Sequence, residues 1–203
     1  MTVGVVDYEA GNLKSVETAL RYLGAHFFIS REPDRLLKAD RLIFPGVGEA
    51  YSAMEVLTGT GLDDAIRSFY ASGRSMLGIC IGCQIVFERS DERQTPCLGL
   101  VAGEVLRFPS EMGLKVPHMG WNQVLPRREH WLWDGIPRRS SFYFVHSYYP
   151  MPKKVENVLA ETEYGIAFAS AIERDNLLAV QFHPEKSGGV GLKLLENFLS
   201  RSD

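Results

Sequence analysis

The chain has 203 residues, of which 45% are apolar and 23% are charged, values typical of a globular protein with one buried core. Its formal net charge of -3 gives no reason to expect nucleic acid or an anionic membrane as a partner. We find no apolar run long enough to span a bilayer and no recognisable signal peptide. Because three cysteines are an odd number for a disulfide framework, we expect free thiols in a cytoplasmic protein.

The first ninety residues alternate between short β-branched runs and amphipathic helices. Residues 3–7 read as a buried strand, and residues 12–24 have leucine and valine at helical spacing. Asn12 is the predicted N-cap of this helix and Gly24 its C-terminal stop. Later strands are predicted at 25–30, 41–46 and 75–80, with one helix over 61–73 and another that begins at 82. This alternation predicts a parallel sheet with helices on both faces.

The second half of the chain is richer in predicted strands, and turns connect them. Residues 188–200 predict a closing helix, and residues 173–178 predict a hairpin turn. We find no repeat or linker, so we expect one α/β domain over residues 1–203, with a mostly parallel central sheet, flanking helices and antiparallel additions in its C-terminal half. The strands predicted in this half are 104–108, 122–125, 142–149, 157–162, 166–173 and 177–183.

Two cysteines, Cys80 and Cys83, stand three positions apart in "GICIGCQ". A zinc site needs about four ligands, and no second Cys-x-x-Cys motif supplies them. A redox pair at a strand-to-helix junction fits the spacing. Gly78 and Gly82 flank Cys80 at minus two and plus two, which is the pattern of a nucleophile elbow. There glycine avoids a collision, the helix N-terminus favours the thiolate, and Cys83 is predicted to be a small buried hydrophobe.

A cysteine nucleophile needs a histidine as its base, and that histidine needs an orienting acid. His183 and Glu185 follow a strongly apolar strand. Pro184 favours an extended His183, and a two-residue step along an extended chain returns the side chain to the same face. We therefore predict that Glu185 bonds one imidazole nitrogen while the other faces the thiol. His146 lacks an acid two residues on and is the weaker candidate base.

The order cysteine, histidine, glutamate resembles that of the class I glutamine amidotransferases. "GICIGCQ" is similar to the Gly-x-Cys-x-Gly-x-Gln motif of that family, and "FHPE" to its His-Pro-Glu motif. Further strings, namely "DYEAGNLKSV", "FPGVGEA", "PHMGWN", "FVHSYY" and "FHPEKS", together resemble the glutaminase subunits of imidazole glycerol phosphate synthases, which belong to histidine biosynthesis. This resemblance covers the whole length of the chain.

The resemblance implies roles for individual residues. Cys80 as thiolate attacks the side-chain amide carbon of glutamine, His183 protonates the departing ammonia and later activates water, and Glu185 orients the imidazole. Backbone N–H groups of Ile81 and Val47 form the oxyanion hole. No metal and no cofactor is implied. Substrate contacts fall on Gly48, Gln84, Ser147 and Tyr148.

The resemblance also implies a partner. It leaves no room for a synthase domain, so the acceptor half is expected to be a separate (β/α)8-barrel cyclase subunit in a heterodimer. This cyclase receives the ammonia and forms imidazole glycerol phosphate and AICAR. The mixture of aromatic and polar residues in "PHMGWN" fits an interface. The predicted interface residues are Asn12, His118, Met119, Trp121, Asn122 and Tyr143.

Three alternatives stay open from the sequence. A catalytically silent relative would bind and regulate a partner, but the triad is intact. An oxidoreductase would use Cys80 and Cys83 and leave His183 and Glu185 without a role. A peptidase or γ-glutamyl hydrolase of similar fold would not need "PHMGWN".

Overall fold

The computed structural model describes residues 1–9 and 13–201, and strands connected by helices and short turns make up most of it. The strands are β1 (Val3–Val6), β2 (Phe27–Ser30), β3 (Arg41–Gly46), β4 (Met76–Cys80), β5 (Arg89–Ser90), β6 (Thr95–Pro96), β7 (Gly103–Arg107), β8 (His118–Gln123), β9 (Leu125–Pro126), β10 (Ser141–His146), β11 (Tyr148–Pro152), β12 (Val158–Tyr164), β13 (Ile166–Arg174) and β14 (Leu177–Val180). The α-helices are α1 (Leu13–Tyr22), α2 (Pro33–Leu36), α3 (Ala50–Thr60), α4 (Leu62–Ala71), α5 (Ile81–Gln84) and α6 (Gly188–Ser200). Single 3-10 turns occur at Glu92–Gln94, Ser110–Met112, Trp131–Trp133, Val155–Asn157 and Pro184–Lys186.

The main sheet has the strand order β2-β1-β3-β4-β14-β13-β12-β9. Its first five strands pair in parallel, and the last three are antiparallel additions. Two smaller sheets lie beside it, one formed by β8 and β10 and the other by β11, β7, β5 and β6. The predicted α/β fold, with a mostly parallel sheet and antiparallel additions from the C-terminal half, is therefore confirmed.

Both faces of the main sheet are buried. Along β3, Leu42 and Phe44 belong to one apolar cluster and Ile43 belongs to the other, as alternation along a strand requires. Helices α2, α3 and α4 cover the first face, and α1 and α6 cover the second. Burial on both faces explains why these strands read as continuous apolar runs in the sequence.

Helix α1 ends as the sequence predicts. Gly24 has a φ of +67°, its N–H donates to the Arg21 carbonyl, and the Ala25 N–H donates to the Leu20 carbonyl. This pair of bonds is the Schellman ending, in which glycine is favoured because it adopts a left-handed backbone without strain. The predicted N-cap, Asn12, lies outside the described residues.

One helix was missed and two local predictions were wrong. Helix α3 was not predicted, although Ala53, Met54 and Leu57 have the helical spacing of its buried side. The helix expected to begin at residue 82 is the single turn α5. The strand expected over residues 142–149 is two strands, β10 and β11, interrupted at Ser147. No α-helix within residues 1–9 and 13–201 is long and apolar enough to cross a membrane.

Candidate active site

Three neighbouring parallel strands end at the candidate site. In the sheet register, Gly46 of β3 lies beside Cys80 of β4, and Ile79 lies beside Val180 of β14. Because the carboxyl ends of parallel strands meet at one edge of the sheet, the residues that follow β3, β4 and β14 are brought together there. This edge is where ligands bind in open α/β sheets.

Cys80 occupies a strained backbone position between β4 and α5. Its φ and ψ are 56° and -105°, a region that costs a residue other than glycine about 1–3 kcal/mol. A Cβ on Gly78 would lie 2.6 Å from the Gly82 carbonyl oxygen, and one on Gly82 would lie 2.0 Å from the Phe44 carbonyl oxygen. Side chains at both positions would therefore collide with backbone, as the nucleophile-elbow interpretation predicts.

The helix after Cys80 is too short to favour a thiolate strongly, so the prediction that its N-terminus does so is wrong. Helix α5 contains only residues Ile81–Gln84, so few peptide dipoles align behind Cys80 and their combined field is weak. The chain leaves the helix early because residues after Gln84 turn to join β5, with the Phe87 N–H bonded to the Gln84 carbonyl. A charged neighbour must therefore contribute most of the stabilisation of a Cys80 thiolate.

His183 and Glu185 form a buried pair. Their side chains are 1% and 3% exposed, and His183 Nδ1 lies 2.7 Å from Glu185 Oε1. The connection is a 3-10 turn over Pro184–Lys186, closed by a bond from the Lys186 N–H to the His183 carbonyl, so the predicted extended step is wrong in detail. Proline fits this turn because its fixed φ suits a first helical position.

The charges around His183 favour its protonated form. Burial alone lowers the pKa of its imidazole, but the negative charge of Cys80 and the hydrogen bond and charge of Glu185 outweigh burial, so the pKa is raised above its ordinary value. The second ring nitrogen, Nε2, is buried and has no well-directed hydrogen bond. The surroundings of His183 therefore favour its protonated form, which is the form that a thiolate–imidazolium pair requires.

The second cysteine of the motif has a different environment. Cys83 is completely buried, and burial, followed by the charge of Cys80, raises the pKa of its thiol well above the ordinary value. Cys80, Cys83 and Cys97 are all free thiols. Within the described part of the chain, no group of three or more histidine, cysteine, aspartate or glutamate residues could hold a metal ion.

A pocket of about 270 Å³ opens beside Cys80. This volume is slightly below the range of about 300–1,000 Å³ that is usual for small-molecule sites, which suits a ligand as small as one amino acid. The structure brings Cys80 together with each residue predicted for the oxyanion hole and for substrate binding. The residues lining the pocket are Val47, Gly48, Cys80, Ile81, Gln84, Glu92, Pro117, Val145, His146, Ser147 and Tyr148.

Two polar residues of the site were not predicted. The Gln181 side chain is completely buried, with Nε2 3.8 Å from Cys80 Sγ and Oε1 accepting from Gln84. The sequence feature that could have identified Gln181 is a glutamine directly after an apolar strand. Glu92 lines the pocket from a 3-10 turn, and burial raises the pKa of its carboxyl. Nothing in its local sequence distinguishes Glu92 from a surface glutamate.

The residues predicted for the interface divide between the surface and the interior. Met119 and Trp121 are 62% and 58% exposed, and the Trp121 ring lies 6.2 Å from the ring of Tyr143 on the paired strand. His118 is only 3% exposed, because alternate residues of β8 point inward, so its side chain does not lie on the predicted surface. Asn122 is partly buried, and Asn12 lies outside the described residues.

The sequence and the fold are similar to those of known proteins. The family model for glutamine amidotransferase class-I matches residues 4–201. The imidazole glycerol phosphate synthase subunit HisH of Dehalococcoides mccartyi (strain CBDB1) is 46% identical over 197 residues, covering 97% of this chain and 95% of the relative. The subunit of the same name from Nitrosococcus oceani is 47% identical over 203 residues, covering 98% and 97%.

Solved structures agree on the fold. A glutamine amidotransferase from Thermotoga maritima superposes with a TM-score of 0.67 at 16% identity, covering 98% of this chain and 82% of that one. A chain in the structure of PurLQS from the same organism gives a TM-score of 0.74 at 17% identity, covering 98% and 97%. The chain belongs to the class I glutamine amidotransferase family and, within it, to the HisH subunits of imidazole glycerol phosphate synthase.

Proposed function

We propose that the glutaminase reaction of this chain uses Cys80, His183 and Glu185, and that a separate (β/α)8-barrel cyclase receives the ammonia. The observation that carries the proposal is the strained Cys80 elbow, next to a buried His183–Glu185 pair and a pocket of amino-acid size. The cyclase would use the ammonia to form imidazole glycerol phosphate and AICAR in histidine biosynthesis. The resemblance to HisH subunits supports this assignment.

The first half of the reaction replaces nitrogen by sulfur. The Cys80 thiolate attacks the side-chain amide carbon of glutamine, and the carbonyl oxygen becomes an oxyanion. As the tetrahedral intermediate collapses, the carbon–nitrogen bond breaks and His183 gives its proton to the departing ammonia. Glu185, 2.7 Å from His183 Nδ1, keeps that nitrogen protonated and leaves Nε2 to exchange the reacting proton.

The second half regenerates the enzyme. His183, now neutral, takes a proton from water while the water oxygen attacks the glutamyl thioester. The carbon–sulfur bond then breaks, glutamate leaves, and Cys80 returns to the thiolate beside a protonated His183. The raised pKa of His183 fits a group that must hold a proton in the resting enzyme and part with it only to the leaving ammonia.

The pocket supplies complementary groups for the substrate. The N–H groups of Ile81 and Val47 follow β4 and β3 at the same edge, which suits a pair of oxyanion donors. At the amino-acid end, we assign Gly48, Gln84, Ser147 and Tyr148 to substrate contact. Glu92 is the acidic residue among those lining the pocket, so we assign its carboxylate to the ammonium group of glutamine.

The partner surface is assigned to strand β8. Met119 and Trp121 are two residues apart, so their side chains share the outer face of the strand, and both are more than half exposed. Large exposed apolar side chains of these two types are typical anchors of protein interfaces. Tyr143 lies opposite Trp121 and its backbone carbonyl accepts from the His183 N–H, so this surface adjoins the catalytic histidine.

The test is a comparison of Cys80→Ala with Cys83→Ala in the complex with the cyclase. Cys80→Ala should lower glutamine-dependent synthesis by about 10⁴-fold or more, while free ammonia still supports the cyclase at the wild-type rate. Cys83→Ala, which removes a thiol outside the proposed chemistry, should keep most of both activities. If Cys80→Ala abolished ammonia-dependent synthesis as well, Cys80 would have a structural role and the proposal would be wrong.

A further inference from the structure

The Tyr148 carbonyl in the pocket wall accepts two side-chain hydrogen bonds. His146 Nδ1 lies 2.7 Å from this oxygen, and Gln84 Nε2 lies 3.0 Å from it. A carbonyl oxygen only accepts, so each of these nitrogens must carry the hydrogen. The tautomer of His146 and the orientation of the Gln84 amide are therefore both set by one backbone oxygen.

The histidine branch runs from this carbonyl to strand β8. His146 Nε2, left as an acceptor, is 2.9 Å from His118 Nδ1, and His118 Nε2 is 3.2 Å from Asn122 Nδ2. Asn122 Nδ2 also donates to the Glu163 carbonyl at 2.9 Å, which fixes its amide independently. Both ends of the branch thus require Nδ1 of each histidine to donate a hydrogen bond and Nε2 of each to accept one. This arrangement requires both histidines to be neutral.

Packing holds the histidine pair in place. His118 and His146 are 3% and 5% exposed. The His118 ring is stacked on Tyr164 and Phe144, with ring centres 4.0 and 4.8 Å away. Burial lowers the pKa of His118 to about 4 and that of His146 to about 3. Near neutral pH the pair therefore offers fixed donors and acceptors and takes no part in proton transfer.

The glutamine branch runs from the same carbonyl to the nucleophile. Gln84 Nε2 also donates to Gln181 Oε1 at 2.9 Å. Gln181 then has its Nε2 left to face Cys80 Sγ, 3.8 Å away. Once the Tyr148 oxygen has fixed the Gln84 amide, the Gln181 amide can present only its N–H side to the sulfur.

We propose that His118 and His146 are positioning residues for glutamine binding, because they hold the Tyr148 carbonyl that aligns Gln84 in the pocket. The inference rests on the proposed function of this pocket. His146, Gln84 and Tyr148 all line it, whereas His118 acts only through His146. Neither histidine touches the Cys80 sulfur, so the main effect of losing one falls on KM for glutamine, with a smaller effect on kcat.

Two amide substitutions separate positioning from packing. In His146→Asn the amide nitrogen takes the place of Nδ1 and keeps the bond to Tyr148. In His146→Gln the amide reaches the place of Nε2, and the donor to Tyr148 is lost. Glutamine is closer to histidine in size, so a packing role favours His146→Gln. The loss of one hydrogen bond, about 0.5–1.5 kcal/mol, corresponds to about 2- to 13-fold in affinity.

The measurement is steady-state glutamine hydrolysis by each variant in the activated complex with the cyclase. We expect the KM of His146→Gln to exceed that of His146→Asn by about fivefold, with kcat values within about threefold of each other. The exposed His26, with the substitution His26→Gln, is the control and should keep the wild-type KM. Equal KM values for the two His146 variants, or a higher value for His146→Asn, would overturn the inference.

His118→Phe provides a second test if the His146 variants do not fold. A phenylalanine ring keeps the stacking on Tyr164 and Phe144 but cannot donate to His146 or accept from Asn122. We expect a KM about 3- to 10-fold above wild type, and an unchanged KM contradicts the inference. A wild-type complex that hydrolyses no glutamine would instead count against the proposed function.

Discussion

Cys80 is set apart from the other thiols by its backbone and its neighbours. Its left-handed φ of 56° directs the side chain out of the sheet at the edge where three strands end, and His183 provides the positive charge beside it. Cys83 lies three residues away but is completely buried. Cys80 is itself only 4% exposed but lines the pocket, so the difference in reactivity that we expect between the two thiols comes from access through the pocket and from the neighbouring His183.

Chemical labelling checks this difference. A glutamine-like electrophile should modify Cys80 and leave Cys83 free, because the pKa of the Cys83 thiol is raised well above its ordinary value by burial and by the charge of Cys80. Peptide mapping by mass spectrometry identifies the labelled residue, and Cys80→Ala is the blank. Labelling at Cys83, or an active form with a Cys80–Cys83 disulfide, would contradict the proposed amidotransferase mechanism.

The buried histidine pair also predicts how stability depends on pH. In the folded chain the pKa of His118 is lowered to about 4, whereas in the unfolded chain it is about 6.5. The unfolded state thus binds more protons between these values, so stability is full above about pH 6.5 and falls as the pH drops towards 4. The slope for one such histidine is at most about 1.4 kcal/mol per pH unit.

The variant His118→Phe isolates this contribution. The measurement is denaturant unfolding at several pH values between 4 and 7. As the pH falls, the free energy of unfolding should decrease less steeply in His118→Phe than in the wild type, and the difference in slope should correspond to about one bound proton. The control is Gly59→Ala within α3, which changes no titratable group, and it should keep the wild-type slope. Equal slopes in His118→Phe and wild type would mean that His118 titrates normally in the folded chain.

At the scale of elements, the predictions succeeded where local pattern and tertiary burial agree. Strands β1, β3 and β4 read as apolar runs because both of their faces are buried. The extent of α5 could not be read in the same way. Its sequence continues with helix-compatible residues, but tertiary bonds such as that from the Leu98 N–H to the Ile85 carbonyl draw the chain into the next turn.

The turn around Cys80 tolerates no side chain at residue 82. In Gly82→Ala the new methyl group would lie 2.0 Å from the Phe44 carbonyl oxygen, so β3 and α5 would have to separate. We expect a loss of several kcal/mol in the free energy of unfolding, or no folded protein. The matched control is Gly59→Ala within α3, where nothing lies within 4 Å, and alanine should stabilise that helix by up to about 1 kcal/mol.

Thermal and denaturant unfolding of the two variants make the comparison. A Gly82→Ala protein as stable as Gly59→Ala would show that β3 and α5 can move apart freely. In that case the glycine at plus two would not be required by the elbow.

At the scale of the whole molecule, the fold determines which residues meet. The residues of the proposed triad could be singled out because they lie in two short motifs. Glu92 and Gln181 were not predicted because their role depends on which loop and strand meet at the carboxyl edge of β3, β4 and β14. His118 was predicted to lie on the partner interface because its sequence neighbours Met119 and Trp121 are typical interface residues. In the structure, side chains alternate along β8, so His118 points inward and stacks on Tyr164 and Phe144.

The loop after β3 has the construction of a gate. The peptide before Val47 joins it to Gly46, which is buried at the end of the strand beside Cys80, and glycine at this position permits the change of ψ that rotation of the peptide requires. On the other side Gly48 has a φ of +102°, and nothing lies within 4 Å of the position that a Cβ would take there, so the backbone at Gly48 can change direction. Rotation of the peptide before Val47 would replace its N–H by a carbonyl oxygen at the oxyanion hole, and one missing donor costs about 10²–10³ in rate.

We therefore expect the isolated chain to hydrolyse glutamine slowly, and the cyclase with its acceptor substrate to turn the Val47 N–H towards the oxyanion. Glutamate production should be lowest for the chain alone, higher with the cyclase, and higher again, by about 10²-fold or more over the chain alone, with cyclase and substrate. Cys80→Ala in each mixture corrects for contaminating glutaminase. Equal rates in the three mixtures would mean that the Val47 N–H is already in place, and that residues 45–48 form a fixed turn.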